Sequence, residues 1–175
     1  MRKFEVRIFE YSKRIKIMLK EKINEDFKTA FKAKDEAVVS VLKMLKASLL
    51  NKEKEKEYQA NKQGKDATVA VLTEEDIIDA VSAEIKKLRD SLELFIKGQR
   101  NDLADQAKKE IDILLRYLPE QLSEEQIKKI VIDAVAQTGA SSVKDMGKVM
   151  ALLMPKVKGK ADCALVVKLT KEALG

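Results

Sequence analysis

The scarcity of helix-breaking residues is the strongest constraint on how this chain can fold. Only six glycines and two prolines interrupt its 175 residues. Glycine and proline are poorly tolerated inside helices, whereas Lys, Glu, Leu, Ala and Ile, which are abundant here, are well tolerated. Hydrophobic residues make up 45% of the chain and charged residues 37%, a balance typical of a globular protein. We therefore predict an all-α fold.

Apolar residues recur at helical spacing through the first two thirds of the chain and predict an antiparallel helical bundle. We expect breaks between helices near Lys34–Asp35, at Gly98 as a left-handed stop, and at Pro119. Thr73 is expected to cap the third helix. Residues 51–70 have almost no apolar periodicity, which predicts a frayed helix end followed by a surface loop. The apolar positions of the first two helices are Leu19, Ile23, Phe27 and Phe31, then Val38, Val41, Leu42, Leu45 and Leu49.

The segment LPEQLSEEQI is the best candidate for a domain boundary. Pro119 ends one helix, and Ser123 with Gln126 has the spacing of a capping box that opens the next. We predict three parts: a basic extension at residues 1–17, an N-terminal helical domain at 18–119, and a small three-helix C-terminal domain at 120–175.

Three further breaks divide the C-terminal domain into helices. Gly139 is expected to close the first helix and Ser142 to cap the second. Pro155 is expected to close the second helix. The last helix should run from about Asp162 to Leu174.

The composition argues against several classes of function. The chain has no histidine and one cysteine, Cys163, so it lacks the usual acid/base at neutral pH, the commonest metal ligand and any internal disulfide. No carboxylate cluster has metal-ligand spacing, and no glycine-rich phosphate loop follows a strand. No window approaches the roughly 20 apolar residues of a membrane span, and the charged N-terminus is unlike a secretion signal. We expect a soluble cytoplasmic protein with no catalytic residues, metal, cofactor or membrane partner.

The first seventeen residues carry a basic amphipathic pattern. At helical spacing, Phe4, Ile8, Tyr11 and Ile15 share one face. Such a helix could bind a membrane surface or a partner. Alternatively, the extension is a fraying tail or an upstream reading-frame artefact.

The helix expected after Ser142 separates apolar residues from lysines. With about 100° per residue, one side carries Val143, Met146, Val149, Met150 and Leu153. Two lysines one turn apart beside two small residues would let a phosphate backbone approach closely. These lysines and small residues lie on the side of the helix opposite the apolar residues: Lys144, Gly147, Lys148 and Ala151.

The lysines continue into the next segment, KVKGKAD, which leads to a helix N-terminus where unpaired N–H groups favour an anion. Seven lysines and two aspartates lie between residues 144 and 171, a local excess of five positive charges. Asp162 could cap the same N–H groups and compete with phosphate. The candidate RNA-binding residues are Lys144, Gly147, Lys148, Lys156, Lys158, Gly159 and Lys160.

A purely structural interpretation explains the same residues. Gly147 permits close helix packing, Pro155 stops a helix, Gly159 makes a turn, and the lysines keep a small domain soluble. In KGQRNDL, we favour a salt bridge between Arg100 and Asp102 that fixes a helix–helix corner over an extension of the basic surface. No arginine-rich surface interleaved with aromatic residues is evident, so stacking on single-stranded bases is not supported.

Four motifs occur in this order along the chain: RNDL, YLPEQLSEEQ, DMGKVM and MPKVKGKAD. Together they resemble the YqeY protein family, whose members are relatives of the tail region of the aspartyl/glutamyl-tRNA amidotransferase B subunit. The resemblance runs from about Met18 to the end of the chain. It implies an all-helical fold with a four-helix N-terminal part and a small C-terminal part. The large catalytic domain that precedes the tail in the B subunit has no counterpart here.

The resemblance also implies a role in holding tRNA. We hypothesise a non-catalytic helical adaptor that binds tRNA or another structured RNA. Two alternatives stay open. The chain could be a protein-interaction module of the translation machinery. It could instead be an accessory component of a glutamine-dependent tRNA amidotransferase, a carbon–nitrogen ligase with glutamine as the amido donor.

Overall fold

The computed structural model describes residues 19–64 and 71–175, and within these ranges it contains helices and no strand. The prediction of an all-α fold is confirmed. The basic extension at 1–17 lies outside the described residues. The helices are α1 (19–33), α2 (Glu36–Lys62), α3 (Glu74–Lys97), α4 (Asn101–Leu115), α5 (Glu124–Thr138), α6 (Met146–Val157) and α7 (Cys163–Leu174), with a 3-10 turn at Val143–Asp145.

The helices form two compact units, of which the first ends at Tyr117 and the second comprises Leu118–Gly175. In the first unit, α3 and α4 form an antiparallel pair, and α2 packs against both. Tyr117 joins the end of this pair to α1, because its hydroxyl donates a hydrogen bond of 2.8 Å to Asp26 Oδ2. Burial and this bond both raise the pKa of Tyr117. Lys22 Nζ lies over the Tyr117 ring, 5.7 Å from its centroid, in a cation–π contact.

The turn between α1 and α2 lies at Lys34–Asp35, as predicted. Lys34 has a left-handed φ of 57°, and the N–H of Asp35 bonds to the carbonyl of Ala30 at 3.0 Å. A hydrogen bond from an N–H to the carbonyl five residues earlier, together with a left-handed residue, is characteristic of the Schellman motif that ends helices. The Asp35 carboxylate then caps α2 by accepting from the N–H of Val38 at 3.1 Å.

The charged second half of α2 is regular helix as far as Lys62, so the predicted fraying in this stretch is wrong. Ion pairs with other helices support it. Lys56 binds the Asp76 carboxylate, and Lys52 donates to the Asp76 carbonyl at 2.9 Å. Nearer the middle of α2, Glu53 pairs with Lys20 of α1. Periodicity could not predict this support, because the partners lie at least 20 positions away in the chain.

Thr73 caps α3, as predicted. The Thr73 hydroxyl accepts from the N–H of Asp76 at 3.2 Å, while the Thr73 N–H donates to Asp76 Oδ2 at 2.7 Å. Burial alone would raise the pKa of Asp76, but the hydrogen bonds from Lys56 and Thr73 lower it from 3.8 to about 2. Asp76 therefore both starts α3 and holds α2 beside it.

The corner between α3 and α4 differs from the prediction in one residue. Gly98 has a φ of −82° and is not left-handed; Gln99 takes that conformation with a φ of 56°. The N–H of Arg100 bonds to the carbonyl of Phe95 at 2.9 Å, which completes a Schellman ending. The predicted salt bridge is confirmed, because Arg100 donates to both carboxylate oxygens of Asp102 at 3.1 and 3.0 Å.

The second unit has one apolar core built from α5, α6 and α7. The capping box of Ser123 and Gln126 opens α5, and Gly139 closes it with a left-handed φ of 63°, both as predicted. Leu122, just before the cap, packs against the core. The buried residues are Ile127, Val131, Ala134, Val149, Leu153, Val157, Val166, Leu169 and Leu174.

Two predicted features of the second unit are wrong. Ser142 precedes a 3-10 turn, and its side chain makes no capping hydrogen bond. Pro155 does not close α6, which continues to Val157. Pro155 removes the hydrogen bond to the carbonyl of Ala151, but Ala151 is exposed, so water can satisfy that carbonyl. Burial of Val157 in the core favours the additional helical residues.

Replacing Asp76 by Asn should lower the free energy of unfolding by about 1–2 kcal/mol at pH 7, because Lys56 would lose its carboxylate partner. The pKa of Asp76 is depressed in the fold. Its stabilising effect is therefore present above about pH 4 and is lost as the pH falls through about 2. Urea denaturation at several pH values measures both effects.

The matched control is Asp105→Asn, because Asp105 is exposed and pairs with Lys108 on the same helix. It should cost less than about 0.5 kcal/mol. Equal stability of Asp76→Asn and the wild type at pH 7 would contradict the role given to Asp76.

Candidate nucleic-acid interface

One side of α6 and of the turn before it is exposed. Lys144, Gly147, Lys148 and Ala151 all lie on this side, while Val149 and Leu153 on the other side are completely buried. Lys144 belongs to the 3-10 turn and not to α6 itself. Because the apolar side is held in the core, this lysine-bearing side must face solvent.

Lys148 is not an unpaired charge. Its ammonium donates to Asp145 Oδ1 at 2.8 Å, one turn earlier in the chain. This hydrogen bond lowers the pKa of Asp145 and raises the pKa of Lys148. A phosphate that binds Lys148 must therefore compete with a carboxylate, although both groups are in contact with solvent.

Gly147 lies in open space. A Cβ added to it would meet no atom within 4 Å outside its own helix backbone. The interpretation that Gly147 permits close helix packing is therefore wrong. The absent side chain instead leaves the backbone of α6 accessible from solvent, between Lys144 and Lys148.

Residues Lys158–Lys160 form a fixed turn, which we call the lysine turn. Gly159 has a left-handed φ of 70°, and its carbonyl accepts from Gln121 Nε2 at 2.8 Å. The carbonyl of Lys160 accepts from the N–H of Leu122 at 2.7 Å. The segment that leads into α5 therefore holds the backbone of the turn.

The lysines around this turn differ in their surroundings. Lys156 lies in the last turn of α6 and not in the loop, because the helix continues past Pro155. Lys156 and Lys160 are exposed, whereas Lys158 is partly buried. The three lysines thus do not form one uniform loop.

The N-terminus of α7 already has an anion. Asp162 is its cap, and the Asp162 carboxylate accepts from the N–H of Ala164 at 2.8 Å. A phosphate at this position would have to displace Asp162. An anion site at this helix end therefore requires phosphate to compete with the Asp162 carboxylate, as the sequence indicated.

The described residues show no feature of a metal centre or of a membrane span. In 19–64 and 71–175, no three His, Cys, Asp or Glu residues are grouped closely enough to hold a metal ion. No helix in this part of the chain is long and apolar enough to cross a bilayer.

Comparison with known proteins identifies the family. A sequence profile described as Yqey-like protein matches residues 20–174, which is nearly the whole chain. The chain belongs to the YqeY-like protein family. The resemblance inferred from the four motifs is therefore confirmed.

Three relatives illustrate the range of the YqeY-like similarity. Altered inheritance of mitochondria protein 41 of Pyrenophora tritici-repentis is 26% identical over 159 residues, which cover 88% of this chain and 80% of that protein. The protein of the same name from Lachancea thermotolerans is 33% identical over 55% of this chain and 46% of its own length. An uncharacterised protein of Schizosaccharomyces pombe is 32% identical over 54% of this chain and 67% of that protein. The first two names describe mitochondrial proteins, and the cytoplasmic location of this chain stays a prediction.

One surface of this YqeY-like chain was missed by sequence reasoning. The spacing of Phe31 assigns it to the buried stripe of α1, but 66% of Phe31 is exposed. Its ring stacks on that of Phe27, above which lies Lys46. An exposed aromatic ring beside lysines was thus not anticipated from the sequence, although this segment contains no arginine. The only signal in the sequence was the lysines on both sides of Phe31.

Replacing Gly147 by Ala should raise the free energy of unfolding by about 0.5–1 kcal/mol, because Ala restricts the unfolded chain and its Cβ meets nothing. Gly139→Ala is the matched control. Gly139 has a left-handed φ, so the same substitution there should destabilise by about 1 kcal/mol. Urea denaturation of both variants measures the difference. A clear loss of stability in Gly147→Ala would contradict the open position described for Gly147.

Proposed function

We propose that the second unit binds tRNA or another structured RNA through the exposed side of α6 and the lysine turn. The observation that carries the proposal is the exposure of three lysines on ordered elements of the second unit: Lys144 in the turn before α6, Lys156 in the last turn of α6, and Lys160 in the lysine turn. Membership of the YqeY-like family supports the proposal through the resemblance to the amidotransferase tail.

The chemistry of these residues suits phosphate groups more than bases. A lysine ammonium is a compact charge on a flexible stem, which can follow a phosphate without fixing its angle. The open backbone at Gly147 lets a sugar–phosphate strand approach α6 closely. Such contacts position an RNA and recognise its shape, but they carry little sequence information.

In this proposal the chain is an adaptor and has no catalytic step of its own. It would hold RNA beside other proteins of translation, one of which could be a glutamine-dependent tRNA amidotransferase. A docking role on a protein partner alone is the competing function. In the first function the exposed lysines are required for binding RNA, whereas in the competing function they are required for binding a protein.

Affinity for bulk tRNA across a salt series tests the proposal. Contacts from Lys144, Lys156 and Lys160 to phosphates should give a slope of about −3 when the logarithm of the association constant is plotted against the logarithm of salt concentration. Fluorescence anisotropy with labelled tRNA measures this slope. An affinity that does not change with salt, or no binding at low salt, would exclude a phosphate-driven interaction.

Neutral substitutions then locate the site. The triple variant Lys144→Gln, Lys156→Gln, Lys160→Gln should weaken tRNA binding about tenfold or more at low salt and flatten the slope by about three. The matched control is Lys128→Gln, Lys129→Gln, Lys171→Gln, which removes the same charge from exposed positions of α5 and α7. Equal losses in the two variants would show that only the total charge matters and would contradict the assigned surface.

A further inference from the structure

Phe31 presents an aromatic ring to solvent at the end of α1. It is 66% exposed, and its ring centroid lies 6.3 Å from that of Phe27, with 26° between the ring planes. Lys46 of α2 lies 4.6 Å from the centroid of Phe27. This cation–π contact and the stacking restrain Phe27, and Phe27 in turn supports the ring of Phe31. The exposed ring is therefore supported from beneath.

Lysines outnumber carboxylates near Phe31, where the two carboxylates are those of Asp35, which caps α2, and of Glu36, which begins it. Lys28, Lys32, Lys34 and Lys43 are exposed, and none of them forms an ion pair with the part of the chain that the structure describes. By contrast, Lys52 and Lys56 in the second half of α2 are bound to Asp76. The lysines near Phe31 are thus available to an external anion.

The register of α1 and α2 brings one of these lysines beside the ring. Lys20 of α1 pairs with Glu53 of α2, and seven residues further along α1, Phe27 contacts Lys46, which lies seven residues earlier in α2. The two helices are therefore antiparallel at this contact. Three residues before Lys46, on the same side of α2, is Lys43. The register therefore places Lys43 at the level of Phe31.

We propose that Phe31 is a stacking platform for an unpaired base of single-stranded RNA, with Lys43 and Lys32 binding the adjoining phosphates. An exposed aromatic face beside unpaired ammonium groups is the combination that single-stranded nucleic acids use, because every base has a π face and every nucleotide a phosphate. No base-specific hydrogen bond is required, so the platform accepts any base.

A protein partner fits this surface less well. The centres of protein interfaces are depleted in lysine, whereas Phe31 is followed in the chain by Lys32 and Lys34. The ring is also bordered by these charges and not by other exposed apolar side chains of α1. Charge complementarity therefore favours a polyanion.

This site lies in the first unit and does not require the lysines of α6. It extends the proposed function from folded to unpaired RNA, but it stands or fails on different residues. Binding of a short RNA that cannot fold therefore tests it separately from the binding of tRNA.

The direct test uses the absence of tryptophan from the chain. Phe31→Trp introduces a single tryptophan, which can be excited selectively over the three tyrosines. A short cytidine–adenosine repeat RNA, which cannot pair with itself, should quench its fluorescence by stacking. Tyr58→Trp is the matched control, because Tyr58 is 65% exposed and has no ring beneath it among the described residues. Stronger quenching at position 31 supports the platform. No quenching, or equal quenching at the two positions, overturns it.

Affinity for the same repeat RNA gives the second test. Phe31→Ala should weaken binding by about 5- to 100-fold, and Phe31→Tyr should keep it near the wild-type value. Phe31→Leu should be as weak as Phe31→Ala, because it keeps apolar area but loses the π face. Circular dichroism checks that each variant is folded, which the exposure of Phe31 predicts. Wild-type affinity in Phe31→Leu, or no binding by the wild type, would overturn the proposal.

The triple Gln variant of Lys144, Lys156 and Lys160 separates the two proposals. It should lose affinity for tRNA while its affinity for the repeat RNA changes less than about twofold. If the wild type does not bind tRNA but the repeat RNA quenches Phe31→Trp, the proposed tRNA site is contradicted and the stacking platform is supported. If the wild type binds tRNA but the repeat RNA does not quench Phe31→Trp, the stacking platform is contradicted and the proposed tRNA site is supported.

Discussion

Each helix of this protein has to bury a narrow apolar stripe while the rest of its surface carries charge. Within the described residues, Glu84 is the one charged side chain that is buried. Burying an ammonium group without a partner costs several kcal/mol, so the lysines are kept at the surface wherever the helices pack. The fold therefore follows from the apolar residues, and what distinguishes one lysine from another is its partner.

Those partners divide the lysines into different roles. Lys56 is bound to Asp76 and holds α2 against α3, which is a structural task. Lys148 shares its charge with Asp145, although it lies on the side of α6 that solvent reaches. Lys43 has no such carboxylate in the described ranges. A simple count of lysines along the sequence overstates the charge that is open to an RNA.

Several features that depend on neighbouring residues were predicted correctly, whereas the cap expected at Ser142 and the helix end expected at Pro155 were not. The caps at Thr73 and Ser123 and the helix end at Gly139 are set within four positions of the chain, and all were predicted. The length of α2 and the exposure of Phe31 depend on which helices lie across from them, so periodicity alone could not give them. The lysines of α6 were placed on the solvent side from spacing, but the pairing of Lys148 with Asp145 was not predicted, although the two residues are only three positions apart.

The hydrogen bonds from Gln121 and Leu122 to the carbonyls of Gly159 and Lys160 bear on the thermodynamics of any ligand at the lysine turn. Its backbone is already ordered before a ligand arrives, so binding orders only the ends of long side chains. A disordered basic tail of the same charge would lose backbone conformational entropy on binding. Association at this turn should accordingly show little of the heat-capacity change that accompanies coupled folding.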